Sequence, residues 1–324
     1  MLNKIAIALR HLGKTELQVT PIGLGTMEFS GGGGWAGLIY PVIPQEEKNA
    51  IIKAALDGGI NWFDTAELYG NGMSEQSLAA GLKASGKSDE DVVIATKWQP
   101  FFRTAGNIPR SIDTRLRCLG GYSISNYMIH NPNSFSSVES EMNAMADLVE
   151  AGKIRSVGVS NFNPARLERA YRALEKRGLP LAVNQVHYSL LHREIETDGV
   201  LKMAKALGVT IIAYKPLASG LLTGKYHRHP ELLTHAGVRK ALLKRDLERT
   251  RPLITVMGEI AAHYDATIAQ VALNWLIHFN GQVVVAIPGA TKARQAAESA
   301  AAMKFQLSKN DLLQLDELSR RFMI

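Results

Sequence analysis

Cysteine is nearly absent from this sequence, whose 324 residues include only one, Cys118. A single cysteine excludes a disulfide within the chain, and such sparse usage is typical of proteins in a reducing compartment. We therefore expect a cytoplasmic protein. A small residue packed in a helix is the commoner role for a lone cysteine, so we predict no catalytic thiol.

Long apolar runs are also missing. No stretch approaches the roughly 20 apolar residues that a membrane-spanning helix needs. The apolar run near the N-terminus, residues 5–9, has no small-residue cleavage site after it, so we predict no secretory signal. The sequence therefore predicts a protein that does not enter or cross a membrane.

The motifs of several ligand classes are absent as well. No Gly-x-Gly-x-x-Gly lies on a first βα unit, which argues against Rossmann-type dinucleotide binding. No zinc-ligand spacing is present, so we predict no metal site. The net charge of +7 comes from 37 basic and 30 acidic residues, dispersed without the basic stripe of nucleic-acid-binding proteins. This positive charge instead suits a phosphate-rich small molecule.

Apolar runs rich in β-branched residues recur eight times, with helical patterns between them. The predicted strands are residues 22–25, 61–65, 92–97, 126–130, 156–160, 182–186, 210–214 and 283–287. This alternation is the pattern of a closed (β/α)8 TIM barrel, an α/β fold, although periodicity alone leaves a doubly wound sheet open. Because no linker or change of composition marks a boundary, we predict one domain over residues 1–324.

Three segments fall outside this repeat. Residues 11–19, split by a Gly-Lys pair, predict an N-terminal hairpin that covers the floor of the barrel. Residues 221–251 predict a long, basic loop after strand seven, longer than a plain connection. Residues 308–320 carry leucines at helical spacing and predict an extra C-terminal helix.

Four polar residues interrupt the apolar pattern at the strand ends. Asp64, Lys97 and His130 each end an apolar, strand-like run, and Tyr69 follows Asp64 in a turn. Ionisable residues at such positions break the local packing rule, and such breaks tend to be functional. Because the carboxyl ends of parallel strands carry the site, we expect the four side chains to converge in one proton-transfer centre.

Segments around these residues carry a family resemblance. Residues 63–70, 152–162 and 211–217 are similar to segments of aldo-keto reductases, and the ordered match runs from about residue 12 to about residue 302. The resemblance implies a (β/α)8 barrel that reduces aldehydes or ketones to alcohols with a nicotinamide cofactor. It also implies a catalytic tetrad of Asp64, Tyr69, Lys97 and His130.

The chemistry of carbonyl reduction explains why these residue types would be needed. Tyr69 would donate the proton, although a tyrosine with its ordinary pKa of about 10 is a poor acid near neutral pH. A nearby ammonium lowers a phenol pKa, and Lys97 is the candidate for that charge, with Asp64 holding it in place. His130 would donate a hydrogen bond to the carbonyl oxygen or relay the proton.

The resemblance also implies a groove for the cofactor. Ser160, Asn161 and Gln185 would bind the nicotinamide carboxamide, and Tyr214 would stack on its ring. Lys225 ends a segment that resembles the family's pyrophosphate-binding loop. The other residues that the resemblance assigns to the cofactor are Gly25, Thr26, Met27, Lys215, Pro216, Leu217, Gly220, Leu222, Ile287, Pro288, Gly289, Ala290, Lys292, Gln295, Glu298 and Ser299.

NADPH is the predicted cofactor. In relatives, the segment at 287–299 opens a helix whose start holds the adenosine 2′-phosphate, and a helix N-terminus suits an anion. Lys292 is the first candidate to bind that phosphate and Arg294 the second, and no acidic residue occupies positions 289–294 to repel it. Three departures from the family stand out. Gln295 replaces a frequent Arg, Ser299 replaces a frequent Asn, and Lys215 replaces a small residue.

The substrate pocket is the least determined part of the sequence. Trp35 follows a glycine run, residues 31–34, that reads as a flexible loop over the barrel mouth rather than as a phosphate loop. Trp35 and Trp98 are the candidate substrate contacts. They suit a small-molecule carbonyl substrate of unspecified identity, and the oligomeric state is not indicated.

Two other functions remain open at this point. A cofactor-bound regulatory subunit, as among the channel-associated members of the family, would keep the same tetrad and differ only in turnover. A barrel aldolase would use Lys97 as a Schiff-base nucleophile, which borohydride would trap in the presence of substrate.

Overall fold

The computed structural model describes residues 6–32, 42–235 and 240–322, and eight of its strands form one parallel sheet. A separate hairpin contains β1 (Arg10–His11) and β2 (Gln18–Val19). The barrel strands are β3 (Leu24–Gly25), β4 (Trp62–Asp64), β5 (Val93–Trp98), β6 (Asn126–Ile129), β7 (Val157–Ser160), β8 (Leu181–His187), β9 (Thr210–Tyr214) and β10 (Val284–Ala286). Neighbouring strands in the sheet follow chain order from β3 to β10.

The sheet closes on itself. Gly23 N donates to Ala286 O at 2.8 Å, Ala286 N donates to Pro21 O at 2.9 Å, and Gly25 N donates to Pro288 O at 3.1 Å. These bonds join the first barrel strand to the last. The predicted (β/α)8 barrel is therefore confirmed, and the doubly wound sheet is excluded.

Helices lie between successive strands and after the last one, and they cover the outside of the barrel. They are α1 (Gln45–Asp57), α2 (Met73–Ala84), α3 (Ile108–Cys118), α4 (Val138–Glu150), α5 (Pro164–Glu175), α6 (Val200–Leu207), α7 (Lys225–Arg228), α8 (Lys240–His263), α9 (Ile268–His278), α10 (Ala293–Ala301) and α11 (Lys309–Arg320). Side-chain caps explain several of the helix starts. Ser137 Oγ accepts from Ser140 N before α4, and Asn163 Oδ1 accepts from Arg166 N before α5.

The predicted hairpin lies at the floor of the barrel. Gly13 N donates to Thr210 Oγ1 at 2.8 Å, and Thr210 is the first residue of β9. A Cβ on Gly13 would lie 2.5 Å from Ala182 O, which explains the glycine at this close approach. Leu12, Leu17 and Val19 of the hairpin join the apolar side chains inside the barrel. The barrel interior is therefore packed at this end.

The segment after β9, which is the seventh strand of the barrel, contains more helix than was predicted from the sequence. Residues 225–228 form α7, and α8 begins at Lys240, within the predicted loop 221–251. Two long helices, α8 and α9, thus separate β9 from β10. The predicted C-terminal helix is α11, which Ser308 caps by accepting from Asp311 N. None of the helices in the described ranges is both long and apolar enough to cross a membrane.

Candidate active site

The parallel register of the barrel brings the strand-end residues together. Asp64 is the last residue of β4, Lys97 lies one residue before the end of β5, and His130 directly follows β6. Within the sheet, Asp64 pairs with Ala95 and Lys97 pairs with Met128, so these side chains project at the same edge. Tyr69 sits in the turn between β4 and α2.

Lys97 and Asp64 form a buried ion pair. Lys97 Nζ lies 2.6 Å from Asp64 Oδ1 and also donates to Thr65 O at 2.8 Å. Lys97 is 0% exposed and Asp64 is 1% exposed. Burial raises the pKa of Asp64 and lowers the pKa of Lys97, while each charge opposes the effect of burial on the other. This ammonium is therefore held in a fixed position by its partners.

Tyr69 packs over this ammonium and beside His130. Lys97 Nζ lies 5.1 Å from the centre of the Tyr69 ring. The Tyr69 and His130 rings meet edge to face, with centres 5.7 Å apart and planes at 83°. The four predicted residues thus form one cluster around a single phenol.

His130 is neutral in this cluster. Burial and the nearby charge of Lys97 lower its pKa to about 3. The buried Nδ1 atom has no hydrogen-bond partner among the residues that the structure describes. A neutral imidazole keeps one N–H donor, so His130 can donate a hydrogen bond at neutral pH without carrying a charge.

A cavity of about 610 Å³ opens above this cluster. Asp64, Tyr69 and His130 line it, while Lys97 lies behind the wall. The predicted cofactor residues line the same cavity, with two exceptions, Leu222 and Lys292. The structure thus gathers residues from the ends of most barrel strands around one space.

Several predicted residues lie elsewhere. Leu222 is fully buried in the hydrophobic core, and so is Trp98, whose Nε1 donates to Asn107 Oδ1 at 2.9 Å. Lys292 does not line the cavity, and its Nζ contacts Glu47 Oε2 at 3.2 Å. Trp35 falls outside the described residues.

Some residues of the cavity wall were not predicted from the sequence. The additional lining residues are Glu28, Asn131, Ser219, Thr223, Tyr226, Arg228, Ala269 and Thr291. Ser219 and Thr223 belong to the segment matched to the pyrophosphate loop, and Asn131 directly follows His130, so all three residues offered a signal. Glu28 offered none: its carboxylate packs against Gly289, which is distant in sequence. An acidic group therefore does reach the segment that lacks acids of its own.

Hydrogen bonds fix the amides and the tyrosine at the cavity wall. Tyr214 Oη donates to Asn161 Oδ1 at 3.0 Å, and Asn161 Nδ2 donates to Asn131 Oδ1 at 2.9 Å. His187 stacks on Tyr214, with ring centres 5.2 Å apart and planes at 11°. Burial, His192 and the charge of Lys215 lower the pKa of His187 to about 3, so this supporting ring is neutral. Tyr214 is thus held flat at the wall.

Strained backbone is concentrated at this cavity. Asn161, Lys215 and Ser219 line it with φ angles of 59°, 50° and 56°. Residues other than glycine adopt this left-handed region at an energetic cost, and such strain gathers at binding and catalytic sites. Gly220, at φ 95°, gives room to the Lys225 side chain, since a Cβ there would lie 3.3 Å from Lys225 Nζ. This loop therefore presents close backbone and an ammonium together, as a phosphate site requires.

Among the described residues, no group of three or more His, Cys, Asp or Glu side chains is arranged to hold a metal ion. Besides amides, hydroxyls and cations, the wall includes carboxyl groups such as that of Glu28. Arg294, Arg228, Lys225 and Lys215 supply the positive charge. These donors suit phosphate oxygens and a carboxamide.

Comparison with known proteins agrees with this geometry. The model of the Aldo/keto reductase family matches residues 21–320. An uncharacterized oxidoreductase of Mycobacterium tuberculosis is 37% identical over 94% of this chain and 91% of its own length. The chloroplastic pyridoxal reductase of Arabidopsis thaliana is 33% identical over 93% and 83%, respectively.

A solved structure shares the fold. The crystal structure of a thermostable aldo-keto reductase in complex with the inhibitor epalrestat superposes with a TM-score of 0.76 at 30% identity, covering 96% of this chain and all of that one. With a family model that spans nearly the whole barrel, this protein belongs to the aldo/keto reductase family of oxidoreductases.

Proposed function

We propose that this protein is an NADPH-dependent reductase of aldehydes or ketones, with Tyr69 as the proton donor. The observation that carries the proposal is the buried Lys97–Asp64 pair beneath the Tyr69 ring, at the base of the cavity. A buried ammonium against a phenol is the arrangement that proton donation by tyrosine needs near neutral pH. Family membership supports carbonyl reduction as the reaction class.

The cavity residues fit a nicotinamide dinucleotide. Ser160, Asn161 and Gln185 offer hydroxyl and amide groups suited to a carboxamide, and Tyr214 offers a ring held flat by His187. The left-handed loop with Lys225 suits a pyrophosphate. When bound there, the reduced cofactor supplies the hydride for the carbonyl carbon.

Side chains of the protein then supply the proton to the carbonyl oxygen. His130, neutral and buried, donates a hydrogen bond to the carbonyl oxygen and so favours the negative charge that develops on it. Tyr69 gives that oxygen its proton. Lys97 stabilises the phenolate that remains, and Asp64 keeps the ammonium beneath the ring.

The structure changes the choice of residue for the adenosine 2′-phosphate. Arg294 lines the cavity, whereas Lys292 turns toward Glu47 on α1. Gln295 Oε1 accepts from Thr291 N at 2.8 Å and so orders the start of α10. We therefore assign the phosphate first to Arg294, with the Lys292 charge at the rim of the site.

Cofactor titration tests this assignment. We expect NADPH to bind at least about tenfold more tightly than NADH, since a charge-assisted hydrogen bond to phosphate is stronger than a neutral one. Arg294→Ala is expected to remove most of that difference by weakening NADPH alone, and added salt should narrow the gap in the wild type. Quenching of tryptophan fluorescence measures both affinities.

A matched control is Arg110→Ala, which removes an exposed arginine of α3 without touching the cavity. It should leave both affinities unchanged. Equal affinities of the wild type for the two cofactors, or an unaltered preference in Arg294→Ala, would contradict the assignment.

An assay with a panel of substrates decides whether the protein catalyses carbonyl reduction. Aldehydes, ketones and sugars are added together with NADPH, whose absorbance reports its oxidation. The panel includes pyridoxal and L-glyceraldehyde 3-phosphate, because two relatives are named as reductases of these compounds. We expect NADPH oxidation with at least one aldehyde or ketone. Binding of NADPH without turnover of any carbonyl favours the regulatory alternative instead.

The aldolase alternative conflicts with the surroundings of Lys97. Its ammonium is 0% exposed and hydrogen-bonded to Asp64 and Thr65, so a carbonyl substrate in the cavity does not reach it. Borohydride added during turnover should therefore trap no adduct on Lys97.

A further inference from the structure

Gln185 carries a contact that carboxamide binding does not require. Its Nε2 donates to Asp64 Oδ2 at 2.8 Å, and the two residues are 3% and 1% exposed. Gln185 also lines the cavity. Among the described residues, no hydrogen bond uses its Oε1, the atom that suits a carboxamide N–H. The nitrogen of this amide therefore binds Asp64, while its oxygen suits a ligand carboxamide.

The ionised state of Asp64 is favoured by the hydrogen bond from Gln185. Its Oδ1 accepts from Lys97 and its Oδ2 accepts from Gln185, so each oxygen has its own partner. Burial raises the pKa of this carboxyl, whereas Lys97 and the Gln185 hydrogen bond lower it. A buried carboxylate that loses a donor is left with an unsatisfied charge. Gln185 thus helps Asp64 to remain the counterion of Lys97.

The same glutamine is anchored at its main chain. Gln185 O accepts from Ser160 Oγ and from Asn161 N, each at 2.9 Å. Asn161 in turn accepts from Tyr214 Oη at 3.0 Å. A continuous set of hydrogen bonds therefore runs from Tyr214, across the amides, to Asp64 and Lys97.

We propose that Gln185 is a positioning residue that keeps Asp64 ionised and turned toward Lys97, and so links the cofactor-binding amides to the proton-transfer pair. This role rests on the proposed function for its effect on rate. Its effect on Asp64 is a property of the protein alone. The two are measured separately.

Gln185→Glu gives a pH signature. While protonated, the new carboxyl donates to Asp64 as the amide does. Once ionised, the new carboxylate can no longer donate a hydrogen bond to Asp64 and repels it instead. Burial beside a like charge raises the pKa of the new carboxyl, so this ionisation occurs at higher pH. We expect single-turnover reduction to approach the wild-type rate at low pH and to fall, by up to about tenfold for each pH unit, as pH rises.

Asn184→Asp is the matched control. Asn184 is the preceding residue on β8 and is fully buried, but its Nδ2 donates to Phe162 O at 2.9 Å instead of to Asp64. The variant adds the same kind of buried carboxyl one residue away. We expect it to destabilise the fold without adding the high-pH decline. The same decline in both variants, or none in Gln185→Glu, would overturn the proposal.

Gln185→Leu supplies a measurement that needs neither cofactor nor substrate. The side-chain carboxyl ¹³C signal of Asp64, assigned with Asp64→Asn, is followed against pH in the free protein. Because the variant lacks the donor, Asp64 should titrate at higher pH than in the wild type. In the reduction assay the variant should be slower by about tenfold, which corresponds to about 1.4 kcal/mol.

An Asp64 titration that is the same in Gln185→Leu and the wild type would overturn the proposal. If the wild type reduces no carbonyl with NADPH, the proposed function fails, but the ¹³C titration still decides the role of Gln185. The two failures are therefore distinguishable.

Discussion

Tyr69→Phe is expected to reduce carbonyls at least about 10²-fold more slowly than the wild type, the scale of general acid catalysis. The phenylalanine ring keeps the contacts with Lys97 and His130 but has no proton to give. Single-turnover oxidation of NADPH, with enzyme in excess over substrate, measures the step itself. The affinity for NADPH should be nearly unchanged, because the hydroxyl is not assigned to the cofactor.

Tyr122→Phe serves as the control for loss of a tyrosine hydroxyl. Tyr122 is also buried, and its hydroxyl donates to Lys87 O in a part of the protein that does not line the cavity. We expect a small loss of stability and a normal rate. A fully active Tyr69→Phe variant would refute the assignment of the proton donor.

Lys97→Met should be affected in both rate and stability. Removing the ammonium takes away the charge beneath the Tyr69 ring, and reduction should slow by about 10²- to 10⁴-fold. Asp64 then remains buried without its counterion, so the free energy of unfolding should fall by about 3–5 kcal/mol. Burial already raises the pKa of Asp64, and the loss of Lys97 removes a charge that opposes this effect. Single-turnover rates and urea unfolding measure the two effects.

Asp64→Asn and the double variant complete this test. Asp64→Asn should slow reduction less than Lys97→Met does, because the Lys97 ammonium remains and only the interaction that positions it is weakened. The double variant should lose less than the sum of the single losses, since the two residues act through one ion pair. Additive losses in both rate and unfolding free energy would show that the pair is not coupled.

The convergence of the tetrad was accessible from the sequence for a simple reason. Each of Asp64, Lys97 and His130 ends a short apolar run, and parallel strands in a barrel present their carboxyl ends at one face. Local periodicity therefore fixed both the number of strands and the edge at which these residues meet. The observed pairing of Asp64 with Ala95 and of Lys97 with Met128 supplies the register that periodicity lacks.

Side-chain direction beyond the strand ends was not accessible in this way. Trp98 follows Lys97 on β5, and because side chains alternate along a strand it points away from the barrel interior and into the core. Lys292 turns to Glu47, a residue of α1 that is remote in sequence. Glu28 reaches Gly289 from the opposite end of the chain. Such placements depend on long-range packing, which a single sequence does not encode in any local pattern.

The position of the β1–β2 hairpin has a practical consequence for anyone attaching this protein to a support. The hairpin contacts Thr210 at the start of β9, whereas Tyr214 at the end of the same strand lines the cavity. Glu16, in the hairpin turn, is exposed. A tether installed at that turn would orient the barrel with its mouth toward the solution. The immobilised protein would then exchange small molecules freely, while the floor of the barrel took up the mechanical attachment.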